Sequence, residues 1–268
     1  MTQSESVFVR LADAGRGGPV VVAHRGDSAH FAENTLPAFA SALRLGVRMQ
    51  EFDVRPTRDG VLVCLHDATL DRTTDAAQRL GPGALVAETT WAEVQQLDAA
   101  GWHATAGGPT GVPTLADVLA LLAPDCIAMV EHKAGDAAAY VAALRRAGAV
   151  DRSILQSFDW AFVAAAKRSA PDLAVALLGP NEVCATLSAE AIDAARRIGA
   201  GMLHWQATAL TAAEVESCHA HGLLLCTYTT DDDLGFHGGS ALGLDAMCTN
   251  RPGHMLRQRE QIARLRAR

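Results

Sequence analysis

Several signals that would sort a chain of 268 residues into a familiar class are missing. Its six cysteines (64, 126, 184, 218, 226 and 248) include no CxxC pair; scattered thiols of this kind, three of them inside apolar strand-like runs, read as reduced and structural. No apolar run reaches the ~20 residues of a membrane helix, because Asp117 and Asp125 interrupt the longest candidate, around Leu115 to Val130. No GxGxxG or Walker-type glycine loop favours a nucleotide-binding open sheet. Positive charge is also short, with 23 Lys and Arg against 30 Asp and Glu. That balance argues against a nucleic-acid binder, whose affinity comes from clustered basic residues, so any anionic ligand must be captured by a few local cations. Met1 to Arg16 lacks the basic-then-apolar pattern of a secretory signal, and a cytoplasmic protein is expected.

What is present is a soluble, core-forming composition, 49% hydrophobic and 20% charged, outside the range of disordered chains. Short apolar runs recur at Pro19 to Ala23, Val47 to Val54, Ile127 to Glu131, Ser153 to Ser157, Leu173 to Leu178, Gly201 to Trp205, Leu223 to Tyr228 and Leu244 to Cys248. Stretches with helical spacing lie between them: Leu36 to Leu45, Leu115 to Leu122, Ala137 to Ala147, Trp160 to Ser169, Ala189 to Ile198, Ala212 to His221 and from about Gly253. Thr114 with Asp117, and Thr211 with Glu214, carry capping spacing. Eight strand–helix units in this length predict an α/β fold, a (β/α)8 TIM barrel forming a single domain over 1–268.

Two segments break the alternation. Val61 to Leu65 follows the second strand after Thr57-Arg58-Asp59-Gly60, and Asp-Gly predicts a β-hairpin. Reversal between Arg58 and Asp59 sets Glu51 opposite His66. The stretch from about 74 to 112, rich in Gly and Thr with one helical pattern near Trp91 to Leu97, reads as an insertion over the catalytic end of the barrel.

Polar residues concentrate at predicted strand ends, where such barrels place their chemistry. His24-Arg25-Gly26 closes the first strand, although a lone strand-terminal histidine is as often a structural hydrogen-bonding residue. Glu51 and Asp53 are two apart and therefore share a side of the second strand. Two carboxylates a few ångströms apart repel by about 4 kcal/mol at an effective dielectric of 20, so their joint burial requires a cation, a shared proton or basic partners; the alternative is a solvated edge strand. Glu131 and Lys133 supply a third oxygen ligand and a cation, or else a local ion pair. An all-oxygen set suits Mg2+ or Ca2+, with Mn2+ or Zn2+ admitted by His24 or His66. His132 faces away from Glu131 and reads as a helix contact or surface residue. His204, His219, His221, His237 and His254 have no carboxylate at ligand spacing and read as structural or surface. Trp205 is a candidate apolar wall of the pocket.

In order, His24-Arg25-Gly26, Glu33-Asn34-Thr35, Glu51-Phe52-Asp53, Asp59-Gly60, His66-Asp67, Leu70-Asp71-Arg72-Thr73-Thr74, Pro113-Thr114-Leu115, Glu131 with Lys133, Ser157-Phe158 and Thr249-Asn250-Arg251-Pro252 resemble the glycerophosphodiester phosphodiesterase family over most of the chain. The resemblance implies a metal-dependent barrel enzyme that hydrolyses glycerophosphodiesters to glycerol 3-phosphate and an alcohol. It maps the catalytic histidines onto His24 and His66, the metal carboxylates onto Glu51, Asp53 and Glu131, and the phosphate-binding cations onto Arg25 and Lys133. Glu33 and Asn34 take site-shaping places. The chain departs from that pattern twice. The family's Trp-Thr-Val-Asn falls in Cys226-Thr227-Tyr228-Thr229-Thr230, and its Thr-Asp-x-Pro is Thr249-Asn250-Arg251-Pro252. Two rival expectations are a lysophospholipase D-type hydrolase with an acyl groove and a non-catalytic barrel that binds phosphate esters.

Overall fold

The computed structural model describes residues 6–103, 108–122 and 124–266, so residues 104–107 of the expected insertion lie outside it. Among the described residues nine strands form: β1 (Val20–His24), β2 (Met49–Pro56), β3 (Leu62–Cys64), β4 (Ile127–His132), β5 (Ser153–Ser157), β6 (Ala174–Gly179), β7 (Met202–Gln206), β8 (Leu224–Tyr228) and β9 (Ala246–Thr249). All except β3 pair in parallel in the order β1-β9-β8-β7-β6-β5-β4-β2, and β2 returns to β1 through His24 opposite Glu51. The predicted TIM barrel is therefore closed.

Strand alternation sorts the apolar residues into two layers. Val20, Val22, Met49, Met129, Ile154, Ala176, Met202, Cys226 and Cys248 fill the barrel interior, where Val7 and Leu11 of the helix Val7–Ala14 join them. Phe52, Val130, Leu155, Leu177, Leu203 and Leu225 point outward to the helices. Burial on both faces is why these strands read as nearly continuous apolar runs. Trp205 belongs to the outer layer, where a Cβ on Gly179 would stand 2.1 Å from its ring. It is buried there and is not among the residues lining the rim cavity, contrary to the sequence expectation; its neighbour His204 takes the inward position.

The helices Leu36–Arg44, Leu115–Leu122, Ala137–Arg146, Trp160–Ser169, Ala189–Ile198, Ala212–Ala220 and Pro252–Arg266 match every expected start, and the expected ends of the first six, to within one residue. Both capping signals are used: Asp117 N donates to Thr114 Oγ1 at 3.1 Å while Thr114 N donates to Asp117 Oδ2 at 2.9 Å, and Thr211 N donates to Glu214 Oε2 at 2.8 Å. The helix Asp233–Leu242 was masked in the sequence by Gly235, Gly238 and Gly239. Asp232 caps it by accepting from Gly235 N at 2.8 Å, and Gly239 leaves the space that Met247 occupies, since a Cβ there would lie 2.5 Å from its methyl.

The hairpin forms with a register one residue away from expectation. Val54 faces Cys64 and Pro56 faces Leu62, and Thr57 N donates to Val61 O at 2.9 Å. The loop has three residues, with Gly60 in the left-handed region at φ 80; this extra position shifts the pairing. Glu51 is thus not paired with His66, which lies beyond the last ladder pair, its carbonyl held by Arg55 Nε at 2.8 Å. The following segment builds a small core of its own from Val63, Leu65, Leu70, Val86, Val94 and Leu97. It holds the expected helix Trp91–Val94 and an unanticipated one, Ala76–Arg79. All six cysteines are free and buried, and among the described residues no helix is long and apolar enough to cross a membrane.

Candidate active site

The C-terminal rim of the barrel begins with an irregular turn. After β1, Arg25 and Gly26 both adopt positive φ, 59 and 82, and Asn34 follows at φ 58. Non-glycine residues pay for that region with about 1–3 kcal/mol and hold it only where surroundings insist. Here the insistence is visible: Arg25 N donates to Glu51 O at 2.8 Å, Asn34 N donates to Arg25 O at 3.1 Å, and Asn34 Nδ2 donates to Asp53 Oδ2 at 2.9 Å. A Cβ on Gly26 would lie 2.6 Å from the Ala38 carbonyl carbon. Gly26→Ala is expected to destabilise the protein by about 2 kcal/mol or more, read as a lower urea midpoint at unchanged slope; wild-type stability would contradict it.

The structure brings the sequence-predicted residues together. Ligand oxygens of Glu51, Asp53 and Glu131 lie within 4.8 Å of one another, and all three side chains are buried. Asp53 is flanked by Arg25 Nε at 3.0 Å and Lys133 Nζ at 3.2 Å. Burial pushes its carboxyl up, but these two cations overcome it and hold the pKa down at about 2. Glu131 touches Lys133, yet burial and then Asp53 raise it to about 7. Glu51 is the least satisfied: both its carboxylate oxygens are buried with no hydrogen-bond partner among the described residues, and burial, Asp53 and Glu131 raise it well above the ordinary range. Three carboxylates against two cations, one of them orphaned, fit a hard divalent ion.

The histidines flank this cluster. His24 Nε2 is 3.8 Å from Glu51 Oε2, and burial followed by the Arg25 charge lowers its pKa. His66 Nδ1 meets Asp67 Oδ1 at 2.6 Å; burial lowers it too, against the pull of Asp53 and Asp67. Glu33 joins the two histidine-bearing loops. It accepts from Arg25 Nη1 at 2.8 Å and from Arg72 Nη1 and Nη2 at 3.0 and 2.8 Å, while Arg72 Nε also binds Asp67 at 2.6 Å. In the sequence Arg72 stands only within a motif, and the bridge joins it to a residue 39 positions away.

A cavity of about 170 Å³ is lined on one side by His24, Arg25, Glu51, His66, Glu131 and Lys133, and on the other by Phe158, Leu178, His204, Tyr228 and Thr229. His204 was expected to be structural or surface. It is 2% exposed and pairs through Nδ1 with Gln156 Oε1 at 2.9 Å. Its signal was strand alternation, which turns Met202 and His204 inward together. Burial, with His24 nearby, depresses its pKa to about 3. A histidine unfolded at pKa ~6.5 and folded at about 3 binds more protons when unfolded throughout that window, so stability is lost as pH falls through it. Between pH 7 and 4 the loss from this group is about 3 kcal/mol. Wild type should therefore lose more stability over that range than His204→Asn, by urea unfolding at both pH values; equal losses would contradict it.

Elsewhere, His132 is a helix contact as expected, stacked on Phe162 at 3.5 Å with its Nδ1 on Ser157 Oγ at 3.0 Å. His219 and His254 do have carboxylate partners, Asp245 at 2.9 Å and Asp233, brought close by the fold from distant parts of the chain. A larger cavity of about 770 Å³ opens at the other end of the barrel, beside Phe8, Lys167 and Gly201, away from these groups.

A closed parallel barrel whose C-terminal rim gathers buried acids, cations and histidines around one small cavity defines an enzyme of the TIM-barrel class. Residues 24–254 match the model of the glycerophosphoryl diester phosphodiesterase family, and the chain belongs to that family. It is 32% identical over 240 residues to a glycerophosphodiester phosphodiesterase of Caldanaerobacter subterraneus, covering 87% of this chain and 94% of that one. Among solved structures, a Silicibacter pomeroyi protein assigned to the glycerophosphoryl diester phosphodiesterases superposes with TM-score 0.82 at 30% identity, covering 91% of this chain and 94% of that one. An Oleispira antarctica phosphodiesterase, solved with its product sn-glycerol-3-phosphate, shares the fold at TM-score 0.82 and 24% identity, covering 96% of this chain and 100% of that one.

Proposed function

We propose that this protein hydrolyses glycerophosphodiesters to glycerol 3-phosphate and an alcohol, with a divalent ion, Mg2+ or Ca2+ in the first instance, held by Glu51, Asp53 and Glu131. The observation that carries this is the buried trio of carboxylates within 4.8 Å, with both oxygens of Glu51 unpartnered among the described residues. When bound, the ion supplies Lewis-acid stabilisation of charge on the phosphoryl oxygens. Arg25 and Lys133, fixed by Asp53, add preorganised positive charge to the cavity wall. His24 and His66 divide general base and general acid. One takes the proton of the nucleophile, either the adjacent glycerol hydroxyl, which gives a cyclic phosphate later opened by water, or water itself; the other returns a proton to the leaving alkoxide. A cavity of about 170 Å³ suits the small polar glycerophosphate better than an acyl-bearing lipid, since larger ligands occupy pockets of roughly 300–1,000 Å³.

The test is release of glycerol 3-phosphate from glycerophosphocholine and glycerophosphoethanolamine by metal-stripped protein, with Mg2+, Ca2+, Mn2+ or Zn2+ added back and lysophosphatidylcholine in parallel. Turnover of the glycerophosphodiesters restored by a hard ion is expected. Turnover of the lysolipid alone, or none with any ion, would overturn the reading.

A further inference from the structure

A chain of side-chain hydrogen bonds runs away from His24 through the cavity wall. His24 Nδ1 lies 2.7 Å from Asn250 Oδ1. The other end of that amide, Asn250 Nδ2, donates to Asp231 Oδ2 at 2.6 Å. Asp231 Oδ1 in turn accepts from the Asn250 backbone N–H at 2.7 Å and from Thr249 Oγ1 at 2.9 Å. Asp231 follows β8 and Asn250 follows β9; the two strands are neighbours in the sheet, and Thr230 N donates to Cys248 O at 2.8 Å where they end.

Donor and acceptor counting fixes the direction of this chain. A carboxylate only accepts, so Asp231 draws the amide nitrogen of Asn250 toward itself and leaves the carbonyl oxygen facing His24. That oxygen also only accepts. Ser28 Oγ is 3.0 Å from it but also 2.7 Å from His24 O, with one proton to give to either. The imidazole must then carry its hydrogen on Nδ1, and in the neutral ring Nε2 is the bare nitrogen, 3.8 Å from Glu51 Oε2.

We infer that Asn250 and Asp231 are positioning residues that hold the His24 ring in place and impose its Nδ1–H tautomer, the acid acting through the amide. The second departure from the family motifs, Asn250 in place of the acid of Thr-Asp-x-Pro, falls at this point. A neutral amide thus stands against His24, and the charge of Asp231 lies one hydrogen bond further out. The kinetic consequence rests on the proposed role of His24; the tautomer does not.

Asp231→Asn, Asn250→Asp and the double exchange test this, by nitrogen NMR of the imidazoles in Mg2+-supplemented protein and by steady-state kinetics on glycerophosphocholine. Wild type should show a pyrrole-type Nδ1 and a pyridine-type Nε2 at His24. Asp231→Asn frees the amide to turn, giving mixed tautomers and a kcat lowered about 10-fold with KM within about threefold. Asn250→Asp sets two carboxylates against each other and should cost more. The double exchange should recover the Nδ1–H signature and most of kcat, because an amide then donates from position 231 and a carboxylate accepts from Nδ1 at position 250. Single variants with wild-type kcat and unchanged nitrogen signals would overturn the inference, as would a double exchange no better than Asn250→Asp alone. So would an Nε2–H wild-type ring, whether or not the protein turns over substrate. The spectra need no substrate, so a wild type that hydrolyses nothing would count against the proposed function while the tautomer result stood.

Discussion

Glu51→Gln should abolish metal-restored turnover while making the metal-free protein more stable. The two effects have one cause. Glu51 is 1% exposed, its carboxylate oxygens have no hydrogen-bond partner among the described residues, and its nearest charged neighbours include Asp53 and Glu131. Burying an uncompensated carboxylate costs several kcal/mol unless the group takes up a proton or meets a cation. Its folded pKa is raised, so between the unfolded value near ~4.3 and the folded one the native state binds more protons, and stability falls as pH rises through that window. Glutamine keeps the shape and removes the charge. Relief of about 1–2 kcal/mol would raise the midpoint of the metal-free protein by about 3–6 °C at neutral pH. The same variant should lose the midpoint increase that Mg2+ gives wild type, since an ion that binds the native state stabilises it by mass action. Calorimetry with and without Mg2+, beside the glycerol 3-phosphate assay, checks all three. A less stable metal-free variant, or one that keeps wild-type metal-dependent turnover, would remove Glu51 from the proposed ion site.

How far the sequence reveals this site depends on the range of the contacts. Positions set by strand period were legible: Glu51 and Asp53 share a face because side chains alternate along a strand, and His24 sits where a strand ends. Arg25, Glu131 and Lys133 likewise stand at strand ends and His66 follows a hairpin, while Glu33 and Asn34 come from motif order alone. What stayed hidden depends on backbone detail or distant partners. The hairpin register moved by one residue because Gly60 takes a left-handed place in the turn, a choice that Asp-Gly alone leaves open between turn types. His204 was passed over because no carboxylate stands near it in sequence, although Met202 two residues before it gives its inward facing. The Asn250 contact to His24 joins residues 226 positions apart. Arg72 reaches Glu33 across 39 positions. No local pattern encodes such distances; the closed barrel does, by bringing β9 beside β1.

His24→Ala and His66→Ala should each lower kcat on glycerophosphocholine by about 10²–10⁴-fold, the span of a lost general acid or base, with KM changed little because neither ring supplies the main charge that holds phosphate. The two losses should not add: once one proton transfer is gone, removing the other group costs less, as for residues that act as a unit. The pair can then be divided by the leaving group. A p-nitrophenyl ester of glycerol phosphate departs as a phenolate that needs no proton, so the variant lacking the acid should recover most of its rate on this substrate and the variant lacking the base should not. The Nδ1–H tautomer at His24 leaves Nε2 as an acceptor toward the cavity, which makes His66→Ala the variant expected to recover. Recovery by His24→Ala instead would reverse the assignment. Recovery by neither would mean that leaving-group protonation does not limit the reaction, and that the division of roles between the two histidines is wrong.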